Sequence, residues 1–489
     1  MTRRQQLLLL ALCLALRAVS LFRPCLSDDE ATYSVVGREM LTGHALYRDV
    51  VDHKPPLIYV VNEATQAIAG PVGGQFLLHV LLILVVWATA LILGRIATCF
   101  EAPPGLAALL YIVFTTTLVD TDSIAANCEL FMMLPLCGSV LAFLRREWWA
   151  ALVAGVLVGC AMMFKYQAGI QLPLYGVALV ARYRRDVAAI ALRVGLLAIG
   201  TAVPIAIAVG WLHHAGAWPW AWFWFRFNFS YIDAGGKLAM AKQMILRVGL
   251  VAIAALPLYA CVVLAIRDRR RWFLLGWLAV SVLAVMVGGR FFGHYFHQIT
   301  APLAVIAAPV AARWLARSRP TFIAALAVPA LIFLGLAIAH DAVMRAAGEP
   351  DPDYASVVSW LDAHAPRSEA LCIWGNSPVL YFEAERPLGC RFVFANYLTG
   401  LSPATPTQTD PGADSMKNVV PQAWDMLETD LATRQPMFIV DGSPGNVGFY
   451  AKYPPEKFPP LARILTCRYQ PDALVAGMRI FRRLPAPRC

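Results

Sequence analysis

Mostly apolar runs recur from Leu7 to His340, each about 15–25 residues long, which is the helix length needed to cross a hydrocarbon core of about 30 Å. A 489-residue chain would otherwise suggest about three soluble domains, and this repetition argues against them. The runs lie at Leu7–Leu21, Gln75–Leu93, Gly105–Leu118, Glu129–Leu144, Trp148–Phe164, Gly169–Ala181, Val187–Leu212, Ile245–Ile266, Trp272–Val287, Gln298–Leu315 and Phe322–His340, about eleven spans. Composition agrees: 59% of residues are hydrophobic and 15% charged, against about 25% charged in soluble domains. The expected fold class is a polytopic α-helical membrane protein over residues 1–344.

Arginine sets the orientation, because short cytoplasmic loops accumulate Lys and Arg. Arg3 and Arg4, Arg95, Arg145 with Arg146, Arg182 with Arg184 and Arg185, Arg267–Arg271, and Arg313 with Arg317 and Arg319 all fall on one side of the alternation. With that side cytoplasmic, Ser27–Tyr59, Asp120–Asn127, His213–Gln243, Gly288–His297 and everything after Asp341 face outward. The expected location is the inner (plasma) membrane. The basic start and Leu7–Leu16 also suit a signal peptide, but no convincing small-residue cleavage site follows, so an uncleaved first helix is expected. The net charge of +10 is spread over loop ends rather than gathered on one face, which disfavours nucleic acid as a partner.

From Glu349 the composition changes, and residues 345–489 read as a soluble α/β domain outside the cytoplasm. LCIWGN, RFVFAN, PMFIVDG and MRIFRRL suit short strands, and Tyr354–Ala363 and Val420–Thr433 suit amphipathic helices. Four cysteines, Cys372, Cys390, Cys467 and Cys489, fall in this outward tail. A disulfide such as Cys372–Cys390 is allowed by compartment, although sequence cannot fix the connectivity. No phosphate-cradling glycine loop, metal-ligand cluster or nucleophile elbow is found in the tail.

The chemistry concentrates in the first outward loop, residues 23–74. Asp28, Asp29 and Glu30 follow the first span directly, where low-dielectric walls make clustered carboxylates costly unless they are used or paired. Ala31, Val35, Val36 and Met40 recur at helical spacing, which predicts an amphipathic helix along the membrane face with Arg38 and Glu39 on its wet side. Lys54 precedes two prolines that delay the next helix to Leu57. A cation for phosphate and a base for an acceptor then share one loop, as a site for a phosphorylated lipid requires. The aromatic run WPWAWFWFRFNFSYIDAGGK reads as an interface belt, with Arg226 and Lys237 as further phosphate contacts and Gly235–Gly236 as a hinge.

The residues DDEATY, GREMLTG, the Leu-Tyr-x-Asp stretch around Tyr47 and HKPPLIY resemble the first outward loop of polyprenyl-phosphate-sugar-dependent glycosyltransferases of the GT-C fold. The resemblance is to the branch of protein O-mannosyltransferases and of lipid A aminoarabinose and galacturonic acid transferases. It implies a GT-C fold with about eleven transmembrane helices, Asp29 as catalytic base and Glu30 as its neighbour. It also implies that Lys54 grips the lipid phosphate, with Arg38 of the Arg-x-Met-x-x-Gly match in the same phosphate-binding set. NCELFMMLP resembles the segment bearing a second catalytic acid, here Glu129 where the family more often has Asp, with Asp122 as the alternative. MMFKYQAGIQLP supplies Lys165, and RFFGHYFHQITAPLAVIAA supplies Arg290, His294 and Tyr295.

The implied activity is transfer of a sugar from a polyprenyl phosphate to an outward-facing lipid, glycan or protein, with inversion at the anomeric carbon. No cofactor is certain from the sequence: three adjacent acids can hold a divalent cation or work without one. A lipid-linked-sugar transporter or flippase is the alternative, since many spans with buried charges can line a pathway. The charges gather at one face and no internal repeat is found, which favours the enzyme. A purely structural role would leave the acid cluster unexplained.

Overall fold

The structure is a computed structural model, and it describes residues 1–489 apart from 24, 119–120, 234–236, 266–271, 347–350 and 411. The Arg267–Arg271 cluster, Gly235, Gly236, Asp120 and Glu349 therefore lie outside the described residues. The membrane part comprises α1 (Arg3–Arg17), α2 (Asp28–Leu41), α3 (Leu57–Cys99), α4 (Pro104–Thr116), α5 (Cys128–Leu144), α6 (Trp148–Met162) and α7 (Gln171–Tyr183). It continues with α8 (Val187–His214), α9 (Trp218–Asp233), α10 (Lys237–Ala254), α11 (Leu256–Ala265), α12 (Trp272–Val287), α13 (His297–Arg317) and α14 (Arg319–Ile338).

Each apolar run expected to span overlies one of these helices, except Ile245–Ile266, which is divided between α10 and α11 and ends outside the described residues. Among the described residues, five are long and apolar enough to cross a membrane alone, or six when Ala241–Ala254 and Leu256–Ala265, bent by 88°, count as one span. The helices α4, α5, α6 and α12 are apolar but shorter. Three of them stop short for one reason: α4 ends before the Thr121–Asn127 loop, α5 begins after it, and α6 ends just before Lys165. Non-helical backbone within a membrane protein is tolerated where it lines a wet cavity, and Asp122 of the first of these segments lines one.

Two readings of the outward loops need correction. The helix α2 has no wet side: it is buried on nearly every side between α3 and the helix Pro378–Ala384 of the soluble domain. Glu39 is therefore buried, 3.1 Å from His44 Nδ1, and not on a wet side. A periodicity argument sees one apolar stripe and has no access to the domain that covers the other. The aromatic segment, read as a loop, is the helix α9. The long helix α3 breaks at Gly70 (φ 72°, ψ 179°), just before Pro71.

The opposite end of the bundle is an arginine and aromatic cap. Arg182 donates to the carbonyls of Phe143 and Arg145 at 3.2 and 3.3 Å, and Phe143 stacks on Tyr175 and Phe273. Since Glu129 opens α5 and Phe143 lies in its last turn, acids and arginines occupy opposite ends of one helix.

The helices α6 and α8 meet through glycine. A Cβ on Gly155 would collide with the Leu197 carbonyl and one on Gly200 with the Leu152 carbonyl, a close backbone approach that small residues permit within membranes.

The soluble domain carries a four-stranded sheet in the order β1 (Leu371–Trp374), β2 (Phe438–Asp441), β4 (Met478–Arg483), β3 (Tyr469–Val475), with β1 and β2 parallel and the other pairs antiparallel. Helices Tyr354–His364 and Pro421–Arg434 stand where the sequence places them. RFVFAN is not a strand. It forms a strap that reaches the first outward loop, where Val51 N donates to Arg391 O at 2.9 Å. The sequence reading missed β3, which contains Pro471 and breaks register beside it; proline within a run weakens the strand signal. A disulfide of this domain joins Cys467 to Cys489, while the sulfurs of Cys372 and Cys390 lie side by side and unjoined.

The glycine contact yields a test. Gly200→Leu overpacks the α6–α8 seam and should cost about 1–3 kcal/mol, seen as a lower melting midpoint of the purified protein in detergent. Gly210→Leu, where nothing lies within 4 Å of the added Cβ, should leave the midpoint unchanged. Equal midpoints for the two variants would contradict the packing.

Candidate active site

Lysines, histidines and carboxylates converge where one set of helix ends meets. Ser27 caps α2 and accepts from Glu30 N at 3.2 Å, which places Asp28 and Asp29 in the first turn, where the helix dipole favours negative charge. Asp29 accepts from Lys54 Nζ and from the Tyr33 hydroxyl, each at 3.2 Å. Lys54 Nζ also donates to that hydroxyl at 3.2 Å, so the three groups close a triangle.

Lys54 is held by backbone geometry as much as by charge. Pro56 caps α3, Leu57 N donates to Met163 O at 3.0 Å, and the Tyr47 hydroxyl donates to Lys54 O at 2.6 Å. Asp52 accepts from the Tyr59 hydroxyl at 2.7 Å and lies 3.0 Å from His53 Nδ1. Burial works to raise the Asp52 carboxyl, but His53 and Lys54 outweigh it and hold it well below the usual carboxylate range. Burial likewise works against the Lys54 ammonium, yet Asp29 and Asp52 keep its pKa well above the ordinary lysine value. Lys54 therefore stays charged.

The second half of the cluster comes from α5, the segment after α6, and the Gly288–His297 turn. Glu129, in the first turn of α5, is buried against Lys165, and Lys165 Nζ sits 3.6 Å from the centre of the Tyr295 ring. His294 Nδ1 lies 2.5 Å from Asp122 Oδ2, and its Nε2 lies 3.7 Å from Glu129. Asn127 donates to Asp122 Oδ1 at 2.8 Å. Burial raises the Asp122 carboxyl, but His294 and Asn127 pull it down to about 2. Asp28, an exposed member of the cluster, also lines the cavity.

A cavity of about 900 Å³ opens over this cluster. Its floor includes Asp28, Asp29, Lys54, Asp122, His294 and Tyr295, its wall includes Arg226 and Phe227 of α9, and its roof includes Asn376, Asn396 and Tyr397 of the soluble domain. The arrangement offers a half-exposed carboxylate, Asp29, beside a mostly covered cation, Lys54: 40% and 16% of their side chains are exposed. A carboxylate open to solvent can take a proton from an incoming hydroxyl, and a covered cation can hold an anionic oxygen against it.

Asp29, Lys54, His294 and Tyr295 line the cavity, and Glu129 and Lys165 support it from beneath the Tyr295 ring. Arg290 is buried, and its guanidinium donates to Ser402 Oγ of the soluble domain at 2.8 Å. Glu30 turns away from the cavity: it is fully buried, accepts from Gln75 and lies 2.6 Å from His79 Nε2. Arg38 also turns away and donates to the carbonyls of Tyr381 and Arg386 at 3.1 and 3.2 Å. Asp28, Asp29 and Glu30 thus do not converge on one point. Among the described residues, the group of three acid and histidine donors within reach of a common ion is His340, Asp341 and Asp351, away from the cavity.

The whole chain superposes on the crystal structure of ArnT from Cupriavidus metallidurans bound to undecaprenyl phosphate, with a TM-score of 0.60 at 14% identity, covering 98% of each chain. The same protein in the apo state gives a TM-score of 0.61 at 16% identity, covering 98% of this chain and 97% of that one. The chain has the fold of ArnT. This is the GT-C arrangement with its soluble C-terminal domain, and at such identity the likeness speaks for the fold alone. No protein-family model matches the chain, and no curated protein sequence does either.

Sequence reasoning passed over Asp52, His53 and Tyr33, and named Asp122 only as a stand-in for Glu129. Asp52 and His53 flank Lys54 directly, so their signal was present but unread. The roof residues had none, because their approach depends on how the soluble domain docks.

Glu30 and Asp29 separate scaffold from site. Glu30→Ala strips a buried charged group from Gln75 and His79 and should cost about 3–5 kcal/mol, lowering the melting midpoint sharply. Asp29→Ala, half open to the cavity, should move it little. A larger loss for Asp29→Ala would reverse the two roles.

Proposed function

We propose that the protein is a membrane glycosyltransferase that moves a sugar from a polyprenyl phosphate to an acceptor on the outward side of the inner membrane. The observation that carries this reading is the pairing of Asp29 with Lys54 in a cavity between the membrane helices and the soluble domain. The likeness to ArnT bound to undecaprenyl phosphate supports a lipid-phosphate donor.

In the proposed reaction the donor phosphate displaces Asp29 from Lys54, and the ammonium stabilises the charge that develops as the bond to the anomeric carbon breaks. Asp29, released from the pair, accepts the proton of the acceptor hydroxyl as that oxygen bonds to the same carbon from the opposite face, which inverts it. The polyprenyl phosphate leaves with the electron pair of the broken bond. Lys165 and Arg290 reinforce the positive potential from below and above. Asp122 and Glu129 hold His294, and through it the turn that carries Tyr295. Glu30 and Arg38 hold α2 in place. The acceptor is a lipid, glycan or protein that reaches the cavity beneath the soluble domain. No step requires a metal ion, and the carboxylate at Asp29 has its partner in Lys54.

The experiment is transfer by purified protein in detergent from a defined polyprenyl-phosphate sugar, where no membrane separates two sides. Asp29→Asn should lower the rate by about 10²–10⁴-fold with donor binding retained. Lys54→Ala should weaken donor binding by about ten- to a hundred-fold, the worth of a charge-assisted contact. Full activity in Asp29→Asn would remove the proposed base, and no product from any lipid-linked sugar would favour the transporter reading.

A further inference from the structure

Cys372 and Cys390 stand outside everything the proposed reaction uses. Cys372 lies in β1, and Cys390 lies in the strap that follows the helix Pro378–Ala384. The start of the strap runs parallel to β1: Leu371 N donates to Pro387 O at 3.0 Å, Gly389 N donates to Leu371 O at 2.7 Å, and Leu371 pairs with Leu388 as an isolated parallel bridge. Neighbouring strands lie about 4.7–4.9 Å apart, within the reach of a disulfide, and just past this bridge the side chains of Cys372 and Cys390 turn toward each other. Their sulfurs are 3.0 Å apart, and both residues are at least 95% buried.

We propose that Cys372 and Cys390 form a second disulfide in the mature protein, and that the bond staples the strap to the sheet. This rests on the outward placement of the soluble domain. The bond forms while the domain folds, before burial closes over the sulfurs. The Cys390 thiolate attacks a disulfide of an exogenous dithiol–disulfide oxidant and expels one of its sulfurs as thiolate. The Cys372 thiolate then attacks Cys390 Sγ in the mixed disulfide and expels the oxidant's second sulfur. Two cysteine thiols thus lose two protons and two electrons, and the oxidant leaves as a dithiol.

The staple has a structural consequence. Beyond Cys390 the strap carries Arg391, whose guanidinium donates to Asp430 at 2.8 and 2.9 Å and to Arg48 O at 3.1 Å, and Phe392, which bridges to Val51. It then supplies Phe394, Asn396 and Tyr397 to the cavity roof. The bond fixes at its root the segment that couples the sheet to the loop bearing Lys54.

The test is peptide mapping of the full-length protein purified from its membrane, denatured and blocked with N-ethylmaleimide without reductant. The expected result is a linked Cys372–Cys390 peptide pair, lighter than the two thiol peptides by two hydrogens, alongside a linked Cys467–Cys489 pair. Free, maleimide-labelled Cys372 and Cys390 beside an intact Cys467–Cys489 link would overturn the proposal and leave the outward placement standing. All four cysteines labelled would overturn both. A second measurement uses the melting midpoint: Cys372→Ala with Cys390→Ala should lower it, and a reductant that cannot enter the native fold should leave the wild-type midpoint unchanged. A double variant as stable as wild type would remove the staple.

Discussion

The structure depends on pairing charge at a low-dielectric boundary. A carboxylate or ammonium taken out of water without a partner is unaffordable, so the acids that open α2 and α5 and the lysines that follow Val51 and Phe164 must find one another. Asp29 meets Lys54, Glu129 meets Lys165, and Asp122 meets His294. Each pair joins separate segments, and each can form only if the helix ends converge at the same depth. The Tyr33 hydroxyl and the Tyr295 ring then knit the pairs into one network. The short helices α4, α5 and α6 follow from this, since extending any of them would bury the loops that carry the partners.

The soluble domain completes what the membrane helices begin. Arg391 and Arg434 donate to the Arg48 and Asp49 carbonyls, and Asn228 of α9 donates to the His53 carbonyl at 3.1 Å. The stretch from Tyr47 to Lys54 is thereby clamped from two sides. Tyr47 itself takes φ 71°, a left-handed conformation uncommon for an aromatic residue, and its carbonyl accepts from Trp224 Nε1 at 3.1 Å. A loop fixed this firmly presents Lys54 at one position, which is the preorganisation that electrostatic catalysis requires.

Much of this was legible in the residues. Apolar length located the helices, arginine separated the two ends, and the Ser27–Tyr59 stretch announced itself as the polar exception. Asp29 and Lys54 were found as a pair because they share one loop. What was not legible has a common cause. Glu30 and Arg38 belong to the same motif as Asp29, yet a helix sends successive side chains in different directions, and only the partners Gln75, His79, Tyr381 and Arg386 reveal which ones leave the cavity. The strap at Arg391–Asn396 has strand composition but spends its backbone on the Val51 loop. The roof of the cavity is a docking outcome and leaves no local trace.

The central claim is that Lys54 is the seat of a lipid phosphate, and the position of that phosphate tests it most directly. A structure of the protein with undecaprenyl phosphate should show a phosphate oxygen about 2.7–2.9 Å from Lys54 Nζ, with Asp29 freed from its ion pair and facing the cavity. A phosphate seated outside the cavity, with Lys54 still bound to Asp29, would contradict the account.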